Sequence, residues 1–420
     1  MSIRRIARFV FRLIVVGFVL LFLGFAALVA LLHRQLPESV TLPGPLGPYA
    51  VGRQIVDWVD DTRIDPFAPA PGTKRELSVC IWYPADPNHN ARAEYLPKPV
   101  RVALRNRANP VIGFLARLLT VDQANVTSHA LERPDLSSRE STFPIILMKP
   151  GYGGLILQYS ALAEDLASHG YVVVGSDSPH TTPVVVYQDG RIAIQSRSGH
   201  PSEGAPGNKS RLAPGQPNDL ALPVLKVWAD DERFVVNRLQ QLNKEVPSNM
   251  FSHRLNMTCI GALGHSFGGA ASLQFCKDDE RCKAAMDIDG AIWGDIALGG
   301  LRKPALFLFS DRPILKSPVG SLNPDARALV DTIGRIRSEL PNKPNRVILQ
   351  GSKHYNFADS ALLSEPRAAR FLGTVGPIDR RRALEITRKY VRAFFDTYLK
   401  GKPSPLVQGA SELYPEVLID

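Results

Sequence analysis

The strongest constraint on the fold comes from residues 258–275, where an apolar strand leads into a serine flanked by glycines and then into an apolar helix. The six residues at 264–269, Gly-His-Ser-Phe-Gly-Gly, match the pattern Gly-x-Ser-x-Gly. That short pattern recurs by chance, but a strand, a tight turn and a helix together are typical of a nucleophile elbow. The context therefore predicts Ser266 as an exposed nucleophile, and the alternative is a glycine-rich turn with an incidental serine.

Strand and helix patterns alternate over most of the chain. Strands are predicted at 77–83, 144–148, 170–174, 257–263, 283–288, 304–310 and 346–349, and helices at 157–168, 219–242, 267–275, 324–339 and 380–399. Repeated strand–helix units predict a mostly parallel sheet with helices on both faces, as in the α/β-hydrolase fold. We assign this catalytic domain to residues 53–420, with a candidate lid at 99–140 and a mobile loop at 196–218, which is rich in Ser, Gly, Pro and Asn.

The N-terminus predicts a membrane anchor. Residues 13–32 carry no charge, and 20 residues are enough for a transmembrane helix. Four arginines precede the run and should stay cytoplasmic, so we assign 1–33 as an anchor of the inner membrane with the catalytic domain on the periplasmic, extracytoplasmic side. The alternative is a signal peptide cleaved near 24–26, which would release a secreted enzyme. Residues 34–52, with four prolines and three glycines, are assigned as a linker.

Net charge and the spacing of cysteine and histidine bear on three questions: a nucleic-acid partner, a disulfide and a metal site. The net charge is +10, but the basic residues near the C-terminus alternate with apolar ones at helical spacing, which indicates a solvated helix face and no nucleic-acid partner. Cys276 and Cys282, six positions apart, could form a disulfide in an oxidising compartment. Neither Cys-x-x-Cys nor His-x-x-x-His spacing occurs, so no metal site and no cofactor are expected.

A serine nucleophile needs a base, and a carboxylate to orient that base. His354 is the sole histidine that follows Ser266, and it comes after a predicted strand, as the order Ser, acid, His requires. Two carboxylates, Asp287 and Asp289, end the strand after the elbow helix. Strand alternation sends both side chains the same way, so periodicity does not choose between them. Asp289 lies nearer the carboxyl end of the strand, where catalytic groups collect, and we rank it before Asp287.

An oxyanion hole needs two backbone N–H groups aimed at the developing charge. The residue after the nucleophile, Phe267, supplies one in this type of elbow. The glycine-rich turn at 149–154 is expected to supply the other, and Tyr152 is the best candidate. A plain strand–helix turn would have the same sequence.

These residues together resemble the platelet-activating factor acetylhydrolase family. The similarity runs through 47–52, 79–84, 151–154, 162–171, 264–269 and 351–359, and the motif His-x-Asn-Phe-Ala-Asp at 354–359 is the most specific to the family. The resemblance implies Ser266 as nucleophile, His354 as base and Tyr152 as the second oxyanion amide. The interval of 23 residues from Ser266 to Asp289 matches the family spacing. Pro150 replaces a histidine that often opens the glycine turn, and 99–140 and 196–218 show no firm match.

The resemblance also implies the reaction: metal-independent hydrolysis of short acyl esters, typically acetyl or oxidised short chains on a phospholipid, by a serine ester hydrolase. A small-molecule or lipid ester is therefore the expected substrate. Other chemistry on the same scaffold is the first alternative: polyester depolymerase, dienelactone hydrolase or peptidase. The second is a membrane-tethered lipid-binding protein without catalysis, although such proteins usually lose the serine or the histidine.

Overall fold

The structure is a computed structural model that describes residues 3–86, 91–196, 199, 222–245, 249–290, 292–343, 345–409 and 412–419. Its strands, in chain order, are β1 Val40–Thr41, β2 Ala50–Ile64, β3 Lys74–Ala85, β4 Val126–Thr127, β5 Leu131–Glu132, β6 Phe143–Lys149, β7 Val172–Asp177, β8 Val184–Val186, β9 Ile192–Ile194, β10 Leu255–His265, β11 Cys282–Ile288, β12 Ala305–Ser310, β13 Arg346–Leu349 and β14 Val417–Ile419. Ten of them form one sheet, in the order β14-β13-β12-β11-β10-β6-β7-β3-β2-β5.

The α-helices, in chain order, are α1 Ile3–His33, α2 Lys98–Arg107, α3 Pro110–Leu118, α4 Ser160–Ser168, α5 Leu222–Leu242, α6 Phe267–Asp278, α7 Pro324–Glu339, α8 Ser360–Leu363, α9 Pro366–Phe371 and α10 Arg380–Lys400. Strands β7, β6, β10, β11, β12 and β13 run parallel to one another, whereas β3 pairs antiparallel with β7 and β2, and β14 pairs antiparallel with β13. Each parallel neighbour requires a crossover, which the helices provide.

Two apolar cores lie on opposite faces of the sheet because side chains alternate along each strand. On β6, Ile146 and Met148 join the core covered by α4 and α10. Ile145 and Leu147 of the same strand join the core covered by α5, α6 and α7. This arrangement is that of an α/β-hydrolase, so the predicted fold class is confirmed.

The N-terminal helix α1 lies largely outside these cores. Within it, Phe9–His33 is long and apolar enough to cross a membrane, by length and composition. A signal sequence near the N-terminus would pass the same test. The last residue of α1, His33, contacts α3: its Nδ1 lies 3.1 Å from the carbonyl oxygen of Leu118.

Part of the segment 34–52 packs on the domain. Strand β1 pairs with β4, Leu42 is buried, and β2 begins at Ala50. The candidate lid at 99–140 contains α2, α3, β4 and β5. The predicted mobile loop at 196–218 lies outside the described residues, except for Ser196 and Gly199.

Candidate active site

Ser266 occupies a sharp turn between β10 and α6. Its φ of 57° and ψ of −125° are strained for a residue with a side chain. The glycines around it are required by close backbone contacts. A Cβ on Gly264 would lie 2.1 Å from the carbonyl oxygen of Gly268, and a Cβ on Gly268 would lie 2.3 Å from that of Pro150. The local geometry is therefore that of a nucleophile elbow.

His354 follows β13 and begins a short 3₁₀ helix, His354–Phe357. Its Nε2 lies 3.0 Å from Ser266 Oγ, and its Nδ1 lies 2.7 Å from Asp289 Oδ2. The structure thus brings together three residues that the sequence had placed at the ends of three separate strands. A carboxylate on one ring nitrogen and a hydroxyl on the other is the arrangement that activates a serine.

Asp289 is buried and well supplied with donors. Its Oδ1 accepts hydrogen bonds from the amide (2.7 Å) and the hydroxyl (2.8 Å) of Ser310. Arg312 forms an ion pair of 2.9 Å with the same oxygen. Burial alone would raise the pKa of Asp289, but the hydrogen bond to His354, the charge of Arg312 and the Ser310 donors together lower it. Asp289 is therefore held as a carboxylate.

Asp287 does not reach His354. It is fully buried, and its Oδ1 accepts one hydrogen bond, from the amide of Gly290 at 2.9 Å. Among the described residues, none forms a hydrogen bond with its Oδ2. Burial, followed by the nearby charge of Asp289, raises the pKa of Asp287 well above its usual value. The raised pKa favours the neutral form of this carboxyl, which packs beneath the elbow.

The two predicted oxyanion residues lie next to each other. Phe267 is the first residue of α6, and Tyr152 is in the turn after β6. Their rings meet edge to face, with centroids 6.1 Å apart. A Cβ on Gly151, the neighbour of Tyr152, would lie 3.3 Å from Ser266 Cβ, so the turn passes directly beside the serine.

A second histidine connects the turn to the His354 loop. The Gly151 amide donates to the hydroxyl of Tyr159 (3.1 Å), which in turn lies 2.8 Å from His265 Nδ1. His265 Nε2 lies 3.0 Å from the carbonyl of His354, which can act only as an acceptor. Every donor in this chain of hydrogen bonds is therefore determined: Tyr159 donates to Nδ1, and Nε2 donates to His354. Burial, and then the proximity of His354, lowers the pKa of His265 to about 3.

Relatives of the chain share its fold and its motifs. The sequence profile of the family described as platelet-activating factor acetylhydrolase, isoform II, matches residues 35–190 and 231–409. The chain belongs to this family. The resemblance inferred from the motifs is thereby confirmed. The interval that the profile leaves out, 191–230, includes the whole of the predicted mobile loop at 196–218.

Individual relatives indicate the chemistry of the family. A probable 1-alkyl-2-acetylglycerophosphocholine esterase of Arthroderma benhamiae is 28% identical, with 91% of this chain and 95% of that protein covered. The platelet-activating factor acetylhydrolase of Cavia porcellus is 24% identical over 86% of this chain and 78% of its own. The solved structure of a ferulic acid esterase from Streptomyces cinnamoneus superposes with a TM-score of 0.70 at 28% identity, covering 91% of this chain and 99% of that one. This member of the acetylhydrolase family is therefore a carboxylic ester hydrolase.

Three residues of the site in this acetylhydrolase-family chain were missed by the sequence reasoning: His265, Ser310 and Arg312. Ser310 and Arg312 sit at the carboxyl end of β12, next to the strand that carries Asp289, and polar residues at such strand ends are the signal that could have revealed them. His265 stood within the elbow motif, but nothing in the motif indicated its partner Tyr159.

The cysteines lie away from these contacts. A disulfide joins Cys276 at the end of α6 to Cys282 at the start of β11, the pairing that the spacing suggested. Cys80 and Cys259 are free. Across the described residues, His, Cys, Asp and Glu form no group of three that could hold a metal ion.

Proposed function

We propose that the chain hydrolyses carboxylic esters through an acyl-enzyme on Ser266, with His354 as general base and Asp289 as the carboxylate that orients it. The observation that carries the proposal is the continuous contact from Ser266 Oγ through both ring nitrogens of His354 to Asp289 Oδ2, with distances of 3.0 and 2.7 Å. Further support comes from the lowered pKa of Asp289, since a carboxylate is what stabilises an imidazolium.

The reaction follows from these roles. Ser266 Oγ attacks the ester carbonyl while its proton passes to His354 Nε2. The amides of Phe267 and Tyr152 stabilise the oxyanion of the tetrahedral intermediate. His354 then protonates the leaving alcohol, and the acyl group stays on Ser266. Water repeats the sequence on the acyl-enzyme and releases the acid.

For the substrate we propose a short acyl chain, in particular an acetyl or short-chain ester of a phospholipid. The names of the relatives from Arthroderma benhamiae and Cavia porcellus support this class. Feruloyl esters are a second candidate, because the ferulic acid esterase is as similar and the residue after the serine belongs to an aromatic cluster: Phe267 contacts Trp228 at 5.1 Å and Tyr152 at 6.1 Å between centroids. Comparing kcat/KM on acetyl, butyryl, long-chain and feruloyl esters, and on short-chain phospholipid, decides between them.

We further propose that α1 anchors the enzyme to a membrane, with the catalytic domain on the extracytoplasmic side. The apolar length of Phe9–His33 supports this, as do the arginines that precede it. The full chain should remain in the membrane pellet after a carbonate wash, and mass spectrometry should find the N-terminal peptide intact. Recovery of a soluble form that begins near residues 24–26 would indicate a cleaved signal peptide instead.

The test of the site is a fluorophosphonate probe followed by peptide mapping. We expect labelling at Ser266, and a loss of at least ~10³-fold in kcat for both Ser266→Ala and His354→Ala. Ser338→Ala, a serine on α7 that hydrogen-bonds the carbonyl of Arg335, is the matched control and should keep full activity. Labelling of another serine, or an active Ser266→Ala enzyme, would refute the assignment.

A further inference from the structure

The loop after β12 contacts both loops that carry the proposed base and carboxylate. Ser310, the last residue of β12, donates twice to Asp289. The next residue, Asp311, accepts a hydrogen bond from the amide of Gly351 (2.8 Å) and donates its own amide to the carbonyl of Ser352 (3.2 Å). Three consecutive residues, 310–312, therefore connect the Asp289 loop to the segment that leads into His354.

Arg312 adds a charge to this connection. Its Nη2 lies 2.9 Å from Asp289 Oδ1 and donates to the backbone carbonyl of Asp289 at 2.5 Å. The guanidinium also lies over the ring of Phe309, 5.7 Å from its centroid. The side chain is only 25% exposed, so the ion pair is partly shielded from solvent. Asp289 thus presents one oxygen to His354 and the other to a permanent cation.

Among the described residues, the rings of His265 and Tyr355 contact the imidazole of His354, and Lys353, its neighbour in the chain, is exposed. His265 at the end of β10 is neutral, since its pKa is lowered to about 3. Burial raises the pKa of Asp287 on β11 well above its usual value, which favours its neutral form. Asp311 in the β12 loop is paired with Lys316. Tyr355, on the 3₁₀ helix of His354, packs its ring edge to face with the imidazole. The electrostatic environment of the imidazole is therefore set mainly by the carboxylate of Asp289 and the guanidinium behind it.

We propose that Arg312 is a positioning residue that holds Asp289 in line with His354 and, by its positive charge, offsets part of the attraction of the Asp289 carboxylate for an imidazolium. This inference rests on the proposed roles of Ser266, His354 and Asp289. A carboxylate facing His354 alone would favour the imidazolium, which cannot act as a base. A cation on the far oxygen offsets part of that attraction, because its positive charge repels the positive charge that protonation would place on the imidazole.

The experiment measures kcat/KM against pH, on an uncharged short-chain ester, for the wild type, Arg312→Gln and Arg312→Lys. Removing the charge in Arg312→Gln should move the acid limb of the profile to higher pH by about 0.5 to 1 unit, and should lower the plateau several-fold. Arg312→Lys keeps the charge but not the two-point contact, so its limb should stay within about 0.2 unit of the wild type while its plateau falls. A purely structural role would lower the plateau without moving the limb.

Arg281→Gln is the matched control. Arg281 has similar exposure, 28%, and forms an ion pair with Asp279 at the opposite end of β11; its profile should match that of the wild type. An unmoved limb in Arg312→Gln, or an equal movement in Arg312→Lys, overturns the proposal. If Arg312→Gln does not fold, Arg312→Lys still decides: a plateau equal to that of the wild type, or a displaced limb, contradicts it. Failure of the proposed function would look different, because Ser266→Ala would then remain active.

Discussion

At the carboxyl end of β11, Asp287 and Asp289 stand two residues apart in opposite environments. Asp289 receives two hydrogen bonds from Ser310 and the charge of Arg312, and its pKa is lowered. Asp287 receives a single amide hydrogen bond, from Gly290, and its pKa is raised. Both are almost fully buried. Burial therefore does not decide whether a carboxyl is charged; the number of donors and the nearest opposite charge do.

Asp289 and Asp287 also differ in what their side chains can do. Asp289 faces His354 and can stabilise an imidazolium, as proposed above. Asp287 fills space beneath the elbow: a Cβ on Gly269 would lie 1.9 Å from its Oδ1, and a Cβ on Gly290 would lie 2.2 Å from the same atom. A neutral carboxyl that is packed against two glycines supports the turn but offers no charge to the reaction.

The largest effect should come from replacing each of the two aspartates, in turn, by asparagine. Asp289→Asn should lower kcat by about 10³- to 10⁴-fold, because an amide can hold the imidazole in the wrong tautomer and cannot stabilise its cation. Asp287→Asn should keep kcat within about threefold, since the native carboxyl does not contact His354 and its raised pKa favours the neutral form. Steady-state kinetics on one short-chain ester measures both. A loss below tenfold for Asp289→Asn would contradict the assignment of the two roles.

A packing test comes next. Gly269→Ala should lower the free energy of unfolding by about 1–3 kcal/mol, because the new methyl group meets the buried Asp287 carboxyl. Gly334→Ala is the control: it lies within α7, and a methyl group added there has no neighbouring atom within 4 Å, so it should raise stability by roughly 0.5–1 kcal/mol. Urea unfolding measures both. Equal stability of Gly269→Ala and wild type would show that the Asp287 side chain moves away from the new methyl group at little cost in free energy.

The raised pKa of Asp287 predicts a pH dependence of stability. Its pKa in the folded chain is raised above the unfolded value, so its contribution is fully present below about pH 4 and is lost as pH rises, by at most ~1.4 kcal/mol per pH unit. Asp287→Asn removes this loss. The stability difference between variant and wild type should therefore grow in favour of the variant by about 1 kcal/mol or more from pH 5 to pH 8. A constant difference in chemical denaturation would mean that Asp287 is ionised in the fold.

The smallest effect should come from removing one donor of the better-supplied carboxylate. Ser310→Ala deletes the 2.8 Å hydroxyl bond to Asp289 and leaves the 2.7 Å amide bond and Arg312 in place. We expect kcat to fall on the order of fivefold, about 1 kcal/mol, with little change in KM. A loss as large as that of Asp289→Asn would mean that the hydroxyl alone orients the carboxylate.

Much of the site could be predicted from local patterns. The elbow was visible because glycines on both sides of Ser266 are a steric requirement of that turn. His354 was visible because it was the sole later histidine and followed a strand. Strand β2, Ala50–Ile64, was not predicted, because charged residues such as Asp57, Asp60 and Arg63 interrupt its apolar alternation. Asp60 and Arg63 in fact pair with each other, at 2.6 Å.

By itself the sequence determined the alternation of strands and helices, the serine turn, the late histidine and the pair of candidate carboxylates, because these follow from periodicity and from short steric motifs. The sequence ranked Asp289 before Asp287, and the tertiary structure decided which of the two meets His354. Alternation predicts the same direction for both, but β11 ends at Ile288 and Asp289 turns with a φ of 52°, so the rule no longer applies to it. Its donors come from β12, and a pattern along one strand carries no information about the donors on the next.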